Sequence, residues 1–373
     1  MTSQRLRVLQ VLPALDAGGV ERGTLEVGNY LVENGHRSLV MSAGGRMVAQ
    51  LEREGSEHIE WNIGQKSLLT LRYVHRLRRF FTEQKVDVVH VRSRLPGWIV
   101  YLAWRGMNPN TRPKFVTTVH GPYTVSKYSA VMTKGERVIV ISEFIQRYIL
   151  ANYPDVAPDK IRLIYRGVSP KQFPYDYKPS TEWLDAWNKQ YPQLKGKQVL
   201  TLPARLTRWK GQEDFIELIK RLRNRGLNVH GLLVGEAHSK RQDFKQELAQ
   251  KAQKAGIAEH LTFVGHRSDL REIMANSKLV FSLSQEPEAF GRTTVEALSL
   301  GIPVIGYDHG GVGEQLAAIL PQGRVPLGDM AALENLTLAW LETPPMVPRE
   351  QPFTLRTMLE RTLAVYQEFE SDF

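Results

Sequence analysis

The stretch that decides the fold is EPEAFGRTTVEALSLGIPVIGYDHGGVGE, residues 286–314. It follows an apolar run at 279–283 that reads as a buried strand. It then opens a helix at Gly291, expected over 292–300, and returns to a second buried strand at 303–307. A helix start offers unpaired backbone N–H groups and the positive end of the helix dipole, both suited to an anion such as a diphosphate. Gly291 lets a ligand approach the backbone closely, and Gly310–Gly311 read as a second tight turn at the next strand end. Glu288 precedes the helix and Glu296 lies within it. Either carboxylate can accept hydrogen bonds from paired hydroxyls. Residue type alone leaves each open to a plainer reading, Glu288 as an N-terminal helix charge and Glu296 as a solvated one.

Outward from this stretch, strands and helices alternate along most of the chain. Strands are expected at 6–12, 37–41, 86–90, 115–119 and 138–141, with helices at 20–34, 68–84 and from 143 to 151 or beyond. Residues 166–196 carry Pro170, Pro174, Pro179 and Pro192 and read as a linker with some local helix. Alternation resumes with strands at 198–203, 229–234 and 261–264 and helices at 212–224 and 241–255; 354–369 is amphipathic again. The pattern predicts an α/β protein of two doubly wound, parallel-sheet domains. Ligands in such sheets bind beyond the carboxyl ends of the strands. The domains are expected at 1–170 and 171–350, with 351–373 a terminal helix packing back on the first.

The whole chain bounds the functional classes. Its 373 residues suit two domains, and 42% hydrophobic residues suffice for their cores. There is no cysteine, which removes disulfides, thiolate nucleophiles and cysteine-ligated metals. No apolar run nears the ~18 residues of a membrane span, and the N-terminus lacks the apolar core of a signal peptide. The formal net charge of +10 favours anionic partners. No helix-turn-helix, zinc-finger or aromatic RNA-binding signature accompanies that charge, so nucleic acid is not expected.

Further motifs sit at strand ends. Arg205 and Lys210, in PARLTRWKGQEDFI, follow the strand at 198–203; two cations there would balance the ~2 negative charges of a diphosphate leaving group. Either alone reads equally as a surface charge. Gly18 and Gly19 form a loop between the first strand and first helix, without the Gly-x-Gly-x-x-Gly pattern of a dinucleotide site. His120 ends a strand in TTVHGPY, and Ser142 reads as a helix N-cap.

The spacing Glu288-x7-Glu296, with Phe290–Gly291 inside it and Gly310–Gly311 after the next strand, resembles glycosyltransferase family 4, retaining enzymes of the GT-B fold with two Rossmann-like domains. The resemblance extends over nearly the whole chain, which is similar to hexosyltransferases of lipopolysaccharide core and cell envelope. It implies a nucleotide-sugar donor, a UDP-sugar ahead of GDP-mannose, and a saccharide or lipid-linked acceptor. It implies catalytic roles for His120, Arg205, Lys210 and Glu288. Donor contacts would come from Gly18, Gly19, Phe290, Gly291, Arg292, Thr293 and Glu296, with Glu288 toward the sugar and Glu296 toward the ribose. No cofactor is implied. The chain has no Asp-x-Asp motif, so no metal is expected. Two departures, Arg166-Gly167-Val168 for the usual Asn-Gly-Val and His90-Val91-Arg92 for two histidines, bear on the acceptor side. A nucleotide-sugar epimerase of this fold, or a donor-binding homologue without activity, are the alternatives.

The helix expected at 68–84 is rich in arginine (Arg72, Arg76, Arg78, Arg79), with Leu68, Leu71, Val74, Leu77 and Phe81 as its apolar side. It reads either as a face for anionic lipid or as an ordinary surface helix. The expected location is cytoplasmic, at the inner face of the cytoplasmic membrane.

Overall fold

The computed structural model describes residues 5–16, 18–237 and 243–369. The chain forms two units: unit 1 is Met1–Tyr165 with Arg356–Phe373, and unit 2 is Arg166–Leu355.

Unit 1 contains β1 (Arg7–Val11), β2 (Arg37–Ser42), β3 (Glu57–Glu60), β4 (Val88–Val91), β5 (Lys114–Val119), β6 (Arg137–Val140) and β7 (Ile161–Leu163). They pair in parallel in the order β3-β2-β1-β4-β5-β6-β7. Helices cover both faces, so the central strands are apolar runs rather than alternating ones; all four residues of β4 are buried. Unit 2 contains β8 (Gln198–Pro203), β9 (Val229–Val234), β10 (Leu261–Gly265), β11 (Leu279–Ser282), β12 (Val304–Tyr307) and β13 (Arg324–Val325). Its parallel order, β10-β9-β8-β11-β12-β13, repeats the same winding. Strand order therefore reverses between β1 and β4 in unit 1, and between β8 and β11 in unit 2.

Two expectations are corrected. The single helix over 68–84 is a 3-10 turn, Leu68–Leu71, capped by Ser67, followed by an α-helix, Arg72–Glu83. The tighter turn eclipses positions i and i+3. It leaves Leu68 86% and Leu71 50% exposed while Tyr73, Leu77 and Phe81 stay buried. The stretch 166–196, read as a linker, belongs to unit 2. Its helix Thr181–Gln190 places Trp183, Trp187 and Tyr191 one turn apart. Trp183 stacks on Trp187, Tyr191 meets Trp187 at a tilt, and the group packs with Leu194 onto Val199, Leu232 and Val234. For the helix expected at 241–255, the structure describes Asp243–Lys254, and residues 241–242 lie outside the described residues.

Several helix ends share one device. After the helices ending at Glu33, Arg53, Asn224, Lys254 and Ser299, a glycine in the left-handed region (Gly35, Gly55, Gly226, Gly256, Gly301) donates its N–H back to the last turn. The helix Arg72–Glu83 ends the same way, but with Lys85 at φ 49°. A side chain in that conformation costs about 1–2 kcal/mol.

The terminal helix Leu355–Gln367 belongs to unit 1 from Arg356 onward. The Tyr366 hydroxyl meets His90 Nδ1 at 2.6 Å. Glu368 accepts from Arg137 at 2.5 Å and from Arg162 at 2.6 and 2.7 Å. The hydrogen bond from Arg162, then that from Arg137, hold the Glu368 carboxyl below its usual range against the opposing effect of burial. A depressed folded-state pKa contributes stability above the unfolded carboxylate value and loses it as pH falls through the folded value. Glu368→Gln should therefore lower the melting temperature near neutral pH and flatten its fall on acidification below about pH 4.5. Wild-type and variant curves that stay parallel across that range would count against this.

Candidate active site

In unit 2 the candidate residues collect beyond β8 and β11, where strand order reverses and the strands' carboxyl ends leave a crevice. The loop after β8 carries Arg205 and Lys210; the loop after β11 carries Ser284 and Glu288. Gly211 holds the two loops together. It caps the helix Gln212–Asn224 at φ 76°, and a Cβ on it would lie 1.9 Å from the Leu283 carbonyl oxygen. Alongside, Gln285 N–H donates to the Trp209 carbonyl at 2.6 Å.

This contact brings Lys210 Nζ to 2.7 Å from Glu288 Oε1, with the side chains only 12% and 18% exposed. Ser284 Oγ donates to the same oxygen at 2.6 Å. The ammonium also lies 4.3 Å from the Trp209 ring centroid. Arg205 is exposed, and among the described residues its guanidinium makes no hydrogen bond or ion pair; its carbonyl accepts from Gln212 Nε2 at 2.9 Å.

Gly291 (φ 87°) caps the helix Arg292–Ser299 without a side-chain hydrogen bond, so the helix opens at the loop, with Arg292 and Thr293 in its first turn. Glu296 is not a solvated charge: it is 6% exposed, with Arg292 Nε 3.4 Å from its carboxylate. Gly310–Gly311 are the first residues of a helix, Gly310–Ile319, rather than a free-standing turn. Sequence cannot separate the two readings, because both begin with a sharp backbone reversal. The pair is glycine for close approach: Gly311 N–H donates to the Glu288 carbonyl at 2.8 Å, and a Cβ on Gly311 would lie 2.5 Å from Phe290 Cα.

Sequence reasoning missed the bracing around this loop. Tyr307 donates its hydroxyl to Asp214 Oδ2 at 2.5 Å, and Gln285 Nε2 donates to the same oxygen. Burial, reinforced by Asp214, pushes the Tyr307 hydroxyl well above its ordinary pKa. His309 Nε2–H donates to the Ser284 carbonyl at 2.7 Å, and Gln315 Nε2 to that of Phe290 at 2.5 Å. Buried polar atoms without a partner among the described residues gather here: Thr207 Oγ1, Gln212 Oε1, Thr294 Oγ1 and Gln315 Oε1. Such atoms are uncommon in folded proteins, and others stand elsewhere in the chain, at Trp187, Arg223, His230 and His260.

The other candidates lie in unit 1. Gly18 and Gly19 open the helix Gly19–Glu33 after β1, with Glu21 Oε2 2.5 Å from where a Gly18 Cβ would stand. His120 is half-buried just past β5, and its N–H donates to the Tyr123 hydroxyl at 3.4 Å. His90 and Arg92 are buried in the sheet rather than presented to a ligand. His90 Nε2 meets Thr118 Oγ1 at 2.6 Å, and Arg92 Nε and Nη2 donate to Gln10 Oε1 at 2.9 and 2.6 Å. Among the described residues no three His, Cys, Asp or Glu side chains group as a metal site.

The family model of Glycosyltransferase Family 4 matches residues 17–172, and that of Glycosyl transferases group 1 matches residues 185–346. The chain belongs to this glycosyltransferase family, and its two parallel-sheet units are those of the GT-B fold. It is similar to the N-acetyl-alpha-D-glucosaminyl L-malate synthase of Bacillus anthracis, 24% identical over 315 residues, 81% of this chain and 78% of the relative. A glycosyltransferase from Rickettsia africae ESF-5 has a similar structure, with TM-score 0.87 and 29% identity over 99% of this chain and 100% of that one. HepE of Anabaena, solved in complex with UDP-glucose, shares the fold at TM-score 0.80 and 20% identity, over 98% and 100%.

The Gly211 contact sets up a controlled comparison. Gly211 and Gly226 have φ of 76° and 77°, but a Cβ on Gly226 would meet nothing within 4 Å. Gly226→Ala should cost about 1–2 kcal/mol from backbone strain alone. Gly211→Ala should cost at least about 2 kcal/mol more, measured by chemical denaturation. Equal losses would mean the two loops need not touch.

Proposed function

We propose that the protein is a retaining hexosyltransferase that moves a hexose from a UDP-sugar to a saccharide acceptor, the core of a lipopolysaccharide or another envelope glycan. The observation that carries this reading is the Lys210–Glu288 pair beside the uncapped helix start at Gly291, at the point where unit 2's strand order reverses. Lys210 and Arg205 supply two positive charges for a departing diphosphate, and the N–H groups after Gly291 supply hydrogen bonds that cost no reorganisation. Glu288 has about four lone-pair sites. Two donors meet at Oε1, and the remaining acceptor capacity suits sugar hydroxyls. Glu296, on the inner side of its helix, is assigned to the ribose.

In the proposed step the bond from the anomeric carbon to the diphosphate oxygen breaks. The acceptor hydroxyl oxygen bonds to that carbon on the same face, and its proton passes to the departing phosphate oxygen. The products are the glycoside with retained configuration and UDP. Neither a carboxylate nucleophile nor a metal is needed, so activity should survive a chelator. The UDP-glucose complex of the Anabaena fold relative supports a uridine donor ahead of GDP-mannose.

We further assign unit 1 a contact with an anionic membrane surface. Leu68, Leu69 and Leu71 are 86%, 71% and 50% exposed beside the exposed cations Lys66, Arg72, Arg76 and Arg79. Each cation near such a surface contributes about 1 kcal/mol. Among the described residues no helix is long and apolar enough to cross a membrane.

UDP-glucose should raise the melting temperature, since a ligand of the folded state stabilises by RT ln(1 + [L]/Kd). Glu296→Ala should weaken UDP binding about tenfold or more, while Glu288→Ala should reduce kcat more than donor affinity. A panel of nucleotide sugars in which none shifts the melt would refute the donor site. Sugar interconversion without acceptor would favour an epimerase. Leu68→Ser/Leu69→Ser should reduce cosedimentation with phosphatidylserine vesicles; unchanged sedimentation would remove the membrane assignment.

A further inference from the structure

Unit 1 concentrates positive charge at the edge of its sheet where the strands begin. A cavity of about 770 Å³ lies there, lined by Arg7, Phe81, Lys85, Asp87, Arg112 and Lys114 among others. Its size is that of a small-molecule site. Gly18, Gly19 and His120 follow the opposite, carboxyl ends of β1 and β5. The six residues of β5 put about 20 Å between the two edges.

Four of the lining residues are cationic and one, Asp87, is acidic; the Asp87 carboxylate already accepts the Arg7 backbone N–H at 2.7 Å. Arg7 Nη1 donates to the Lys85 carbonyl at 3.0 Å, so the turn carrying Lys85 is pinned to β1. The Arg112 guanidinium lies 3.4 Å from the Trp104 ring centroid; stacking fixes its plane and leaves its in-plane N–H donors to the edge.

The independent observation is the conformation of Lys85. Elsewhere the chain closes this helix-end turn with glycine, and here it holds a lysine at φ 49°. A helix stop alone gains nothing from that strain. What the lysine adds is a cationic side chain on a residue that lines the cavity, and persistent backbone strain clusters at functional positions.

We propose that this cavity is a second ligand site, taking a soluble small molecule that bears at least two phosphoryl groups, with Lys85, Arg7 and Arg112 as its anion-binding residues. The site is separate from the transfer site and does not depend on the donor assignment.

The test is titration calorimetry with inorganic pyrophosphate on the full chain, comparing wild type with Lys85→Gly, Arg112→Ala and Arg205→Ala. Lys85→Gly and Arg112→Ala should each weaken pyrophosphate about tenfold, and Arg205→Ala should leave this binding in place. Lys85→Gly should also melt no lower than wild type, because glycine relieves the left-handed φ, so its weaker binding cannot be ascribed to misfolding. Pyrophosphate affinity unchanged in Lys85→Gly overturns the proposal. So does an isotherm abolished by Arg205→Ala and intact in Lys85→Gly, which would assign the anion to unit 2.

Discussion

The candidate site rests on a backbone packed against a backbone. Gly211 stands so close to the Leu283 carbonyl that no side chain fits between them. From that approach follow the hydrogen bond between Gln285 and Trp209 and the meeting of Lys210 with Glu288. A glycine pair repeats the device on the other side of the loop, where Gly310 and Gly311 press against Glu288 and Phe290. Held from both sides, the loop keeps a partly buried carboxylate and ammonium in fixed geometry. Such a pair has little net value for stability, because desolvation offsets most of its attraction. Its placement at a strand-order reversal is the observation on which the proposed donor site rests.

The two units share one winding but use their reversal points differently. In unit 2 the candidate site residues stand in the loops beyond β8 and β11, while Thr201 within β8 hydrogen-bonds to Ser277. In unit 1 the polar residues at β1 and β4 turn into the sheet: Gln10 accepts Arg92, and His90 bridges Thr118 and Tyr366. Burial lowers the Arg92 pKa, and the Tyr366 hydroxyl nearby opposes that shift. Motif comparison registers His90 and Arg92 only as departures from a pattern. The structure gives them an internal function, in which each buried donor has a partner and the terminal helix is fastened to the sheet.

Legibility followed burial. The central strands are apolar on both faces, and their sequence runs announce them. The strands that went unread, β3, β7 and β13, are all edge strands. EHIE, IRL and RV are too short or too polar to register, since an edge needs only one neighbour. Periodicity located the helix at 72–83 but carried it one turn too far, because Leu68 and Leu71 match an α-helical spacing that a 3-10 turn does not obey. At the candidate site, the order of elements placed Lys210, Glu288 and Gly291 beyond strand ends and Glu296 in a helix, while residue type alone left the charged three open to plain readings and only the family resemblance grouped them. Their pairing was not legible, nor were Asp214, Gln285, Tyr307 and Gln315. Those residues act through neighbours 25 to 93 positions away, which no local pattern encodes.

The hydrogen bond between His90 and Tyr366 joins residues 276 positions apart, with the whole of unit 2 between them in the chain. Unit 2 is continuous, whereas unit 1 closes only with its last helix. At about 5–20 residues per second, a ribosome needs roughly 15–55 s to travel from one partner to the other. During that interval β4 can pair with β1 while its histidine lacks the tyrosine. Although translated first, unit 1 receives its closing helix only after every residue of unit 2 has been added.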